Sequence, residues 1–531
     1  MARGKKSKRP VEAGEEVVGE ADQQEGAEPG PERAPRLRLE ATADLPTALP
    51  GPAAAALVFV AAGAVLMLEI LAVRLLAPYV GLTLETTTSI IGAALAGIAA
   101  GAAIGGYLAD RTDTKLLVVG LLVLGGLLTL LTVPIVHWLG PGARGSGDLA
   151  ALGITALALV PAAAVLSAVS PAVAHLQLHD LHASGTIVGR LSAWATAGAL
   201  LGTFGAGFVV IPLMPVGTAV LVIGLLLVLV GIGLGMTTRL LAPAGIGAAL
   251  VLMLAFGAFA ASADSPCLRE THYHCIELEV DPKNPDGYEL VLDNVHNSYV
   301  DLDDPTYLRY EYTNWIADAV DGYFPGDKPL DAVFVGGGAF TLPRWLLATR
   351  PGSEAEVLEV DGEMVDFVEE QMGLRTSPAL RATVGDARMT MRNVPSDSAD
   401  LVVGDAFSGF TVPWHLTTTE WLDEVQRVLK PGGLYAANLI DLQPLDFIKW
   451  ESATFLETFH DVKMITFVDP ETGGLYGGNV VLLGSNRKMP ARAASRADGG
   501  ATFIKSAVEE LAADGEPLRD DYAPVDQLRT E

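Results

Sequence analysis

Residues 331–346 read DAVFVGGGAFTLPRWL, in which a strand-like apolar run ends in three glycines and a helix-like run follows. Glycines directly after a strand let the chain turn tightly and let its backbone approach a ligand. From here onward strand-like and helix-like runs alternate, which is typical of a parallel sheet with helices on both faces. The sequence therefore predicts a Rossmann-like α/β domain over residues 326–488.

Acidic residues stand at or just after the ends of the predicted strands. Glu359 ends a strand in VLEVD, Asp386 lies in VGDARM, and Asp405 follows a strand in LVVGDAFSGF. Ligands of an open parallel sheet bind beyond the carboxyl ends of its strands. A dinucleotide fingerprint would need a third glycine where Thr341 stands. The pattern favours a donor with a nucleoside but no pyrophosphate, such as S-adenosylmethionine or its decarboxylated form.

The composition bounds the class of protein. The 531 residues are 50% apolar, which indicates a membrane part joined to a soluble part. The net charge of -28 argues against a nucleic-acid partner and is compatible with a cationic substrate. Two cysteines, Cys267 and Cys275, are too few for a disulfide framework or a four-ligand zinc site. A short-loop disulfide and two unrelated small residues both remain open, and no metal site is predicted.

Apolar runs of bilayer-spanning length recur from residue 51 to 263. Seven are predicted as transmembrane helices, at 53–75, 87–108, 115–137, 149–169, 191–211, 217–236 and 240–262. Residues 1–50, rich in Glu, Gly, Pro and Gln, are predicted to be a disordered tail. In the second run Gly97, Gly101 and Gly105 share one helix face and permit close helix packing. We therefore expect a multi-pass protein of the cell membrane.

The distribution of basic residues predicts an orientation. Lys and Arg of short loops mark the cytoplasmic side, and most of them fall on the side of the amino terminus. Seven spans would then place the soluble domain outside, whereas a miscount by one reverses this. Within the first span Glu69 and Arg74 are unusual, since ionisable groups in hydrocarbon tend to face a partner. Either a strained pair or a snorkelling Arg74 is expected, and a ligand role for Glu69 is left open.

The soluble part resembles the spermidine synthase (polyamine aminopropyltransferase) family, and the whole chain resembles its bacterial membrane-fused form. The matching stretches cover about 210 residues and are ELVLDNVHNSYVD, YLRYEYTNWI, VFVGGGAF, VLEVDGEMVDF, VGDAR and DLVVGDAFSGFTVPWHLTTTEWLDEVQRVLKPGG. The resemblance implies a β-hairpin subdomain with a helix at 265–325, ahead of the Rossmann-like domain. Residues 489–531 are left as a C-terminal extension.

The resemblance also implies roles for individual residues. The donor would be decarboxylated S-adenosylmethionine, a co-substrate, with no permanently bound cofactor. Its expected contacts are Gly336, Gly337, Gly338, Glu359, Asp386, Ala387 and Asn297. Asp405 would be the catalytic carboxylate, because an amine that attacks a carbon beside a sulfonium must be neutral and then loses a proton. The acceptor side would use Tyr310, Glu311 and Ser408.

The chain departs from the family pattern on the acceptor side. Where the family has an Asp that binds the diamine, this chain has Ala339, and a second Asp of the family corresponds to Ser408. Asn297 replaces a donor-binding Gln, and Glu311 replaces a His or Gln. We therefore expect aminopropyl transfer to putrescine or a related amine. Methyl transfer on the same fold, or a transporter or sensor that binds polyamine without turnover, remain alternatives, and a homodimer is left open.

Overall fold

The computed structural model describes residues 49–81, 84–144, 148–178, 184–469, 474–490 and 500–529. The predicted disordered tail lies almost wholly outside these residues. The described chain begins with a bundle of apolar helices, continues through a small antiparallel sheet and ends in a larger mixed sheet.

Ten helices form the apolar bundle in the described part of residues 49–261. They are α1 (Gly51–Val80), α2 (Leu84–Ala109), α3 (Thr114–Leu139), α4 (Asp148–Ala158), α5 (Val160–Ser167), α6 (Val169–Gln177), α7 (Ser184–Gly205), α8 (Ile211–Leu213), α9 (Val216–Thr237) and α10 (Pro243–Ala261). Among the residues that the structure describes, seven segments are long and apolar enough to cross a membrane. These are Gly51–Val80, Glu85–Ala109, Thr114–Ala143, Val160–Gln177, Ser184–Leu213, Val216–Thr237 and Pro243–Ala261.

The fourth candidate span differs from the prediction. The sequence pattern placed it at 149–169, whereas the long apolar segment is Val160–Gln177 and the earlier residues form the shorter helix α4. Pro161 and Pro171 lack the amide hydrogen that a helix interior needs, so the run is divided into α4, α5 and α6. Hydropathy alone does not show where an apolar run is divided into separate helices.

Glycines bring the bundle helices into close contact, as predicted for α2. A Cβ atom on Gly101 would lie 1.9 Å from the carbonyl oxygen of Ala164, and one on Gly105 would lie 2.6 Å from the Cα atom of Ala168. Helices α1 and α7 approach similarly, since a Cβ atom on Gly202 would lie 2.2 Å from the Gly63 carbonyl oxygen. Small residues therefore set the packing distances of the bundle.

A four-stranded antiparallel sheet follows the bundle. Its strands are β1 (Arg269–Glu270), β2 (Cys275–Val280), β3 (Gly287–Leu292) and β4 (Val295–Asp301), in that spatial order, and helix α11 (Glu311–Tyr323) comes next. A disulfide joins Cys267 to Cys275, which selects one of the two alternatives left open by the sequence. We call this unit the small sheet.

The larger sheet has eight strands in the order β12-β10-β11-β9-β8-β5-β6-β7. The strands are β5 (Asp331–Val335), β6 (Glu354–Glu359), β7 (Leu380–Val384), β8 (Ala399–Gly404), β9 (Leu429–Asp441), β10 (Asp461–Val468), β11 (Leu475–Ser485) and β12 (Gly500–Phe503). The helices are α12 (Thr341–Thr349), α13 (Gly362–Gln371), α14 (Ala387–Thr390), α15 (Thr419–Val428), α16 (Asp446–Thr458), α17 (Lys505–Leu511) and α18 (Val525–Leu528).

The expectation of a purely parallel sheet is wrong for three strands. Strands β5 to β9 are parallel, whereas β10, β11 and β12 pair antiparallel to their neighbours. Strand β9 is followed by α16 and then by β10, and β11 lies between β9 and β10 in the sheet. Strand β11 runs opposite to both of these neighbours, so this half of the sheet is antiparallel. Strand β12 lies in the segment treated as an extension, so that segment contributes an edge strand. Apolar cores cover both faces of the sheet.

Strand order places the ends of β5 and β8 together. After β5 the chain crosses to β6 on one side, and β8 later pairs with the other side of β5. The backbone N–H of Asp405, just after β8, donates to the carbonyl of Val335 at 2.8 Å. Such a reversal of strand order opens a crevice at the carboxyl ends of the strands. The glycine turn and Asp405 therefore face the same crevice.

Candidate active site

The glycine turn requires glycine for two separate reasons. Gly336 has a φ angle of +92°, and a Cβ atom there would lie 2.3 Å from the carbonyl oxygen of Asp405. Gly338 has a φ angle of +49°, and a Cβ atom there would lie 2.3 Å from Ser298 Oγ and 2.7 Å from Asn297 Oδ1. The left-handed backbone and the absence of side chains let β4, β5 and β8 meet at one point.

The carboxylate of Glu359 is buried beneath this turn. Its Oε2 accepts the backbone N–H of Gly337 at 2.7 Å, and its Oε1 accepts that of Asp361 at 2.9 Å. Burial raises the pKa of the Glu359 carboxyl, and the two backbone N–H groups oppose the rise. A carboxylate has about four lone-pair positions, so two remain for the hydroxyl groups of a ligand.

Asp405 lies just after β8 and accepts two side-chain hydrogen bonds. Asn438 Nδ2 donates to Oδ1 at 2.8 Å, and the Tyr312 hydroxyl donates to Oδ2 at 3.1 Å. Asn438 is itself fixed, since its Oδ1 accepts from Asn479 Nδ2 at 3.0 Å. Burial raises the pKa of Asp405 to about 6, and the bonds from Asn438 and Tyr312 limit that rise. The group can therefore take up a proton near neutral pH.

A cavity separates the glycine turn from the start of α11. Its walls include Gly336, Gly337, Ser298, Tyr312 and Asp405, and it opens to solvent. One wall therefore consists of backbone and the opposite wall carries the tyrosine that binds Asp405. A ligand that enters this cavity therefore reaches the Asp405 carboxylate.

Asp386 and Ala387 stand at the end of the neighbouring strand β7. Asp386 caps α14 by accepting the backbone N–H of Met389 at 3.3 Å, and its Oδ2 lies 3.0 Å from His415 Nε2. Ala387 is buried in the core on that face of the sheet. Both residues thus lie at the same edge as Glu359, as the sequence pattern predicts.

The predicted acceptor residues lie in different surroundings. The Tyr310 hydroxyl donates to Glu289, and its ring stacks on Tyr312 with the centroids 6.2 Å apart. Glu311 and Ser408 are exposed, Glu311 at the first residue of α11 and Ser408 in the loop after Asp405. Asn297 lies beside Gly338 and accepts from Ser298 Oγ at 2.6 Å. Tyr310 is thus the one most directly connected to Asp405, through Tyr312.

Sequence reasoning missed Asn438, Asn479 and Glu289 as site residues. Asn438 interrupts the buried run of β9, and a single amide among buried apolar residues requires a polar partner. That signal was present in LYAANLI. Glu289 gave no comparable signal, because its contact with Tyr310 depends on the path of residues 301–310.

Within the described residues, Glu279, Glu289 and His296 come close enough to hold a cation, with one possible ligand atom of each within 4.8 Å of the others. Glu289 already accepts from Tyr310, and its Oε1 lies 2.9 Å from His296 Nδ1. These contacts account for the cluster without a metal ion.

Comparison with known proteins supports the predicted relationship. No family model matches the chain. A polyamine aminopropyltransferase of Vibrio vulnificus is 26% identical over 181 residues, which are 34% of this chain and 58% of that protein. A probable polyamine aminopropyl transferase of Bifidobacterium longum is 27% identical over 114 residues, which are 21% of this chain and 25% of that protein. These similarities confirm the resemblance to the spermidine synthase family.

Solved structures described as spermidine synthases are also similar. A probable spermidine synthase of Corynebacterium glutamicum is 29% identical with a TM-score of 0.44, and the match covers 48% of this chain and 95% of that chain. The enzyme of Thermotoga maritima is 16% identical with a TM-score of 0.34, covering 46% and 89%. The chain spans 58% and 25% of the lengths of the two curated relatives.

Ala339, the main departure from the spermidine synthase pattern, lies in the apolar core. Ala339 has no exposed surface and packs in the apolar core, as does its neighbour Phe340. Phe340 has a φ angle of +62° and its backbone N–H donates to the Gly337 carbonyl at 2.7 Å. An apolar pair therefore fills the inner side of the turn where the family has a diamine-binding Asp.

Proposed function

We propose that this chain is a polyamine aminopropyltransferase. It transfers the aminopropyl group of decarboxylated S-adenosylmethionine to putrescine or a related amine, giving spermidine or its analogue and methylthioadenosine. The observation that supports this most directly is the position of Asp405 at the end of β8, bonded to Val335 of β5 beside the glycine turn whose Gly337 donates to Glu359. This position supports the assignment of Asp405 as the proton acceptor beside the proposed donor site.

The donor side uses the strand ends. Glu359 accepts hydrogen bonds from the two ribose hydroxyls, and Asp386 with Ala387 contacts the adenine. The backbone of Gly336, Gly337 and Gly338 lies against the sulfonium side of the donor, next to Asn297. The two donated N–H groups hold Glu359 in one orientation before the donor arrives.

The chemical step needs a neutral amine. Its nitrogen lone pair attacks the carbon bound to the sulfonium, the carbon–sulfur bond breaks, and its electron pair stays on sulfur as a neutral thioether. The nitrogen becomes cationic and loses one proton to Asp405. A carboxylate with a pKa of about 6 is ionised at neutral pH and stabilises the developing ammonium.

The acceptor side is formed by Tyr310 and Tyr312, whose stacked rings can contact an alkylammonium chain. Glu311 and Ser408 lie on the exposed rim and contribute to the choice of amine. Glu289, bound to the Tyr310 hydroxyl, supplies negative charge beyond the two rings. This set replaces the carboxylate that the family has at the position of Ala339.

We also propose that the seven candidate spans anchor the chain in the cell membrane. At the end of the bundle opposite the small sheet, Arg111 and Arg239 lie in loops, and Lys115 and Arg190 lie near the starts of α3 and α7. By the positive-inside rule those loops are cytoplasmic and the soluble domain is outside. A disulfide between Cys267 and Cys275 is compatible with that side, because disulfides persist in oxidising compartments.

The reaction products distinguish aminopropyl transfer from the alternative functions. Purified full-length protein is incubated with putrescine and either decarboxylated or intact S-adenosylmethionine, and the products are separated by mass spectrometry. The proposal predicts methylthioadenosine and spermidine from the decarboxylated donor. S-adenosylhomocysteine from the intact donor would instead show a methyltransferase, and polyamine binding without product would show a binding module.

A further inference from the structure

The segment 270–274, which we call the connecting loop, contacts the helical bundle on one side. Glu270 Oε2 accepts the backbone N–H of Val216, the first residue of α9, at 2.7 Å. Arg74 of α1 donates from Nη2 to the carbonyl of Thr271 at 3.0 Å and from Nη1 to the carbonyl of Tyr273. Two different helices therefore hold this loop. The partner of Arg74 is therefore the connecting loop of the soluble part. The two predictions for Arg74, a pair with Glu69 and a snorkelling side chain, are both wrong.

On its other side the connecting loop contacts the carboxylate network of the crevice. The Thr271 hydroxyl donates to Asp361 Oδ2, and the Asp361 backbone N–H donates to Glu359 Oε1 at 2.9 Å. Thr271, Asp361 and Glu359 are 2%, 1% and 5% exposed, so solvent cannot replace these bonds. A continuous chain of contacts therefore runs from Arg74 to Glu359.

The hydroxyl of Thr271 is fixed in orientation. Its oxygen accepts the backbone N–H of Tyr273 at 3.1 Å and that of His274 at 2.8 Å. The disulfide between Cys267 and Cys275 closes the chain around the same residues. The hydroxyl has two acceptors within reach, the carboxylate of Asp361 and the carbonyl of His274 at 3.3 Å, and the shorter contact with the charged carboxylate is the stronger one.

We propose that the helical bundle positions Glu359 for the donor through Arg74, Thr271 and Asp361. This inference rests on the proposed function, because it takes Glu359 as the donor-binding carboxylate. Arg74 and Thr271 touch no substrate and are positioning residues. The bundle is then part of the support of the donor site in addition to being an anchor. Loss of either contact lets Asp361 and Glu359 reorient, which weakens donor binding and leaves the acceptor side unchanged.

The chain offers matched variants for a test. Thr271→Val removes the hydroxyl at nearly constant volume, and Thr271→Ser restores it. Arg74→Met removes the guanidinium and keeps an apolar side chain of similar length. Arg144→Met is the control, because Arg144 also links the bundle to the small sheet, through Glu277 at 2.8 Å, but Glu277 does not contact Asp361.

The first readout is the dissociation constant of methylthioadenosine, measured by calorimetry on full-length protein. A lost hydrogen bond in a charged network predicts binding about tenfold weaker in Thr271→Val and Arg74→Met. Thr271→Ser and Arg144→Met should bind as the wild type does. The KM for the amine should not change in any of the four. Equal binding in all variants would overturn the inference and leave the proposed function standing.

The second readout needs no ligand. Hydrogen exchange of the unliganded protein, followed by mass spectrometry, should be faster across residues 354–366 in Thr271→Val and Arg74→Met than in Arg144→Met. If the wild type binds no adenosyl ligand, the proposed function fails. The exchange rates still test whether the helical bundle holds the segment that contains Glu359. Unchanged exchange in both variants would overturn it.

Discussion

Asn438 donates its side-chain amide to Asp405 Oδ1 at 2.8 Å, which connects a buried residue of β9 to the end of β8. Tyr312 donates to the other carboxylate oxygen from the start of α11. Both bonds favour the ionised carboxylate, whereas burial favours the protonated one, and the balance puts the pKa of Asp405 at about 6. The acid–base behaviour of the site therefore depends on two neighbours that sequence reasoning had not assigned to this role.

The pH profile should report this balance. In the proposed mechanism the ionised Asp405 accepts the proton, so kcat/KM for the donor should fall as the pH drops through about 6. Tyr312→Phe removes a bond that lowers the Asp405 pKa, so the acidic limb should move to higher pH. Tyr288→Phe, which changes a tyrosine packed against the core, is the control. If the acidic limb of the pH profile stays in place in Tyr312→Phe, Asp405 is not the group that accepts the proton.

Glu359→Gln should weaken donor binding. The amide of Gln has one acceptor oxygen, so it cannot accept from both Gly337 and Asp361 and still serve a ribose. We expect the KM for the donor to rise by about tenfold or more, with little change for the amine. Glu356→Gln on the same strand is the control, since Glu356 accepts from Thr383 at 2.9 Å. Similar effects in both variants would indicate a general loss of stability.

Gly336→Ala should destabilise the domain more than Gly326→Ala does. Both glycines have strongly positive φ angles, +92° and +87°, so each substitution introduces similar backbone strain. Only Gly336 also has a close neighbour, the Asp405 carbonyl at 2.3 Å from the added Cβ, whereas nothing lies within 4 Å at Gly326. Thermal unfolding should show the larger decrease in Tm for Gly336→Ala. Equal decreases would show that backbone strain alone sets the requirement for glycine.

Ala339→Asp should destabilise the fold and should not recreate the family's amine site. The position is fully buried against apolar side chains, and an unpaired carboxylate there costs several kcal/mol unless it is protonated. We expect a lower Tm and no gain in putrescine affinity, with Ala339→Ser as the milder control. Stronger putrescine binding at unchanged Tm would mean that the turn can rearrange to expose this side chain.

The sequence was most informative where local pattern decides structure. The apolar runs indicated the seven helical segments, and VFVGGG, VLEVD and LVVGDA indicated strands that bring Glu359 and Asp405 to one edge. Two features of the secondary structure could not be predicted from the sequence. Pro161 and Pro171 divided a run that hydropathy treats as continuous, and the antiparallel strands β10 and β12 gave no strand signal strong enough to detect.

Contacts between distant segments were the other part that could not be predicted. The bond from Arg74 to Thr271 joins residues 197 apart in the chain, and that from Tyr312 to Asp405 joins residues 93 apart. The environment of Ala339 was equally hidden, since its full burial depends on how the core packs around the turn. The sequence could show that the acceptor side departs from the family but not that an apolar core fills that position.

Single-turnover kinetics separate proton acceptance by Asp405 from donor binding in the proposed aminopropyl transfer. Wild type, Asp405→Asn and the control Asp400→Asn, whose native carboxylate pairs with Lys430 at 2.8 Å, are loaded with decarboxylated donor and mixed with putrescine. We expect methylthioadenosine release to be slowed by about 10²- to 10⁴-fold in Asp405→Asn alone, with methylthioadenosine affinity retained. Release at the wild-type rate from Asp405→Asn would show that Asp405 does not accept the proton.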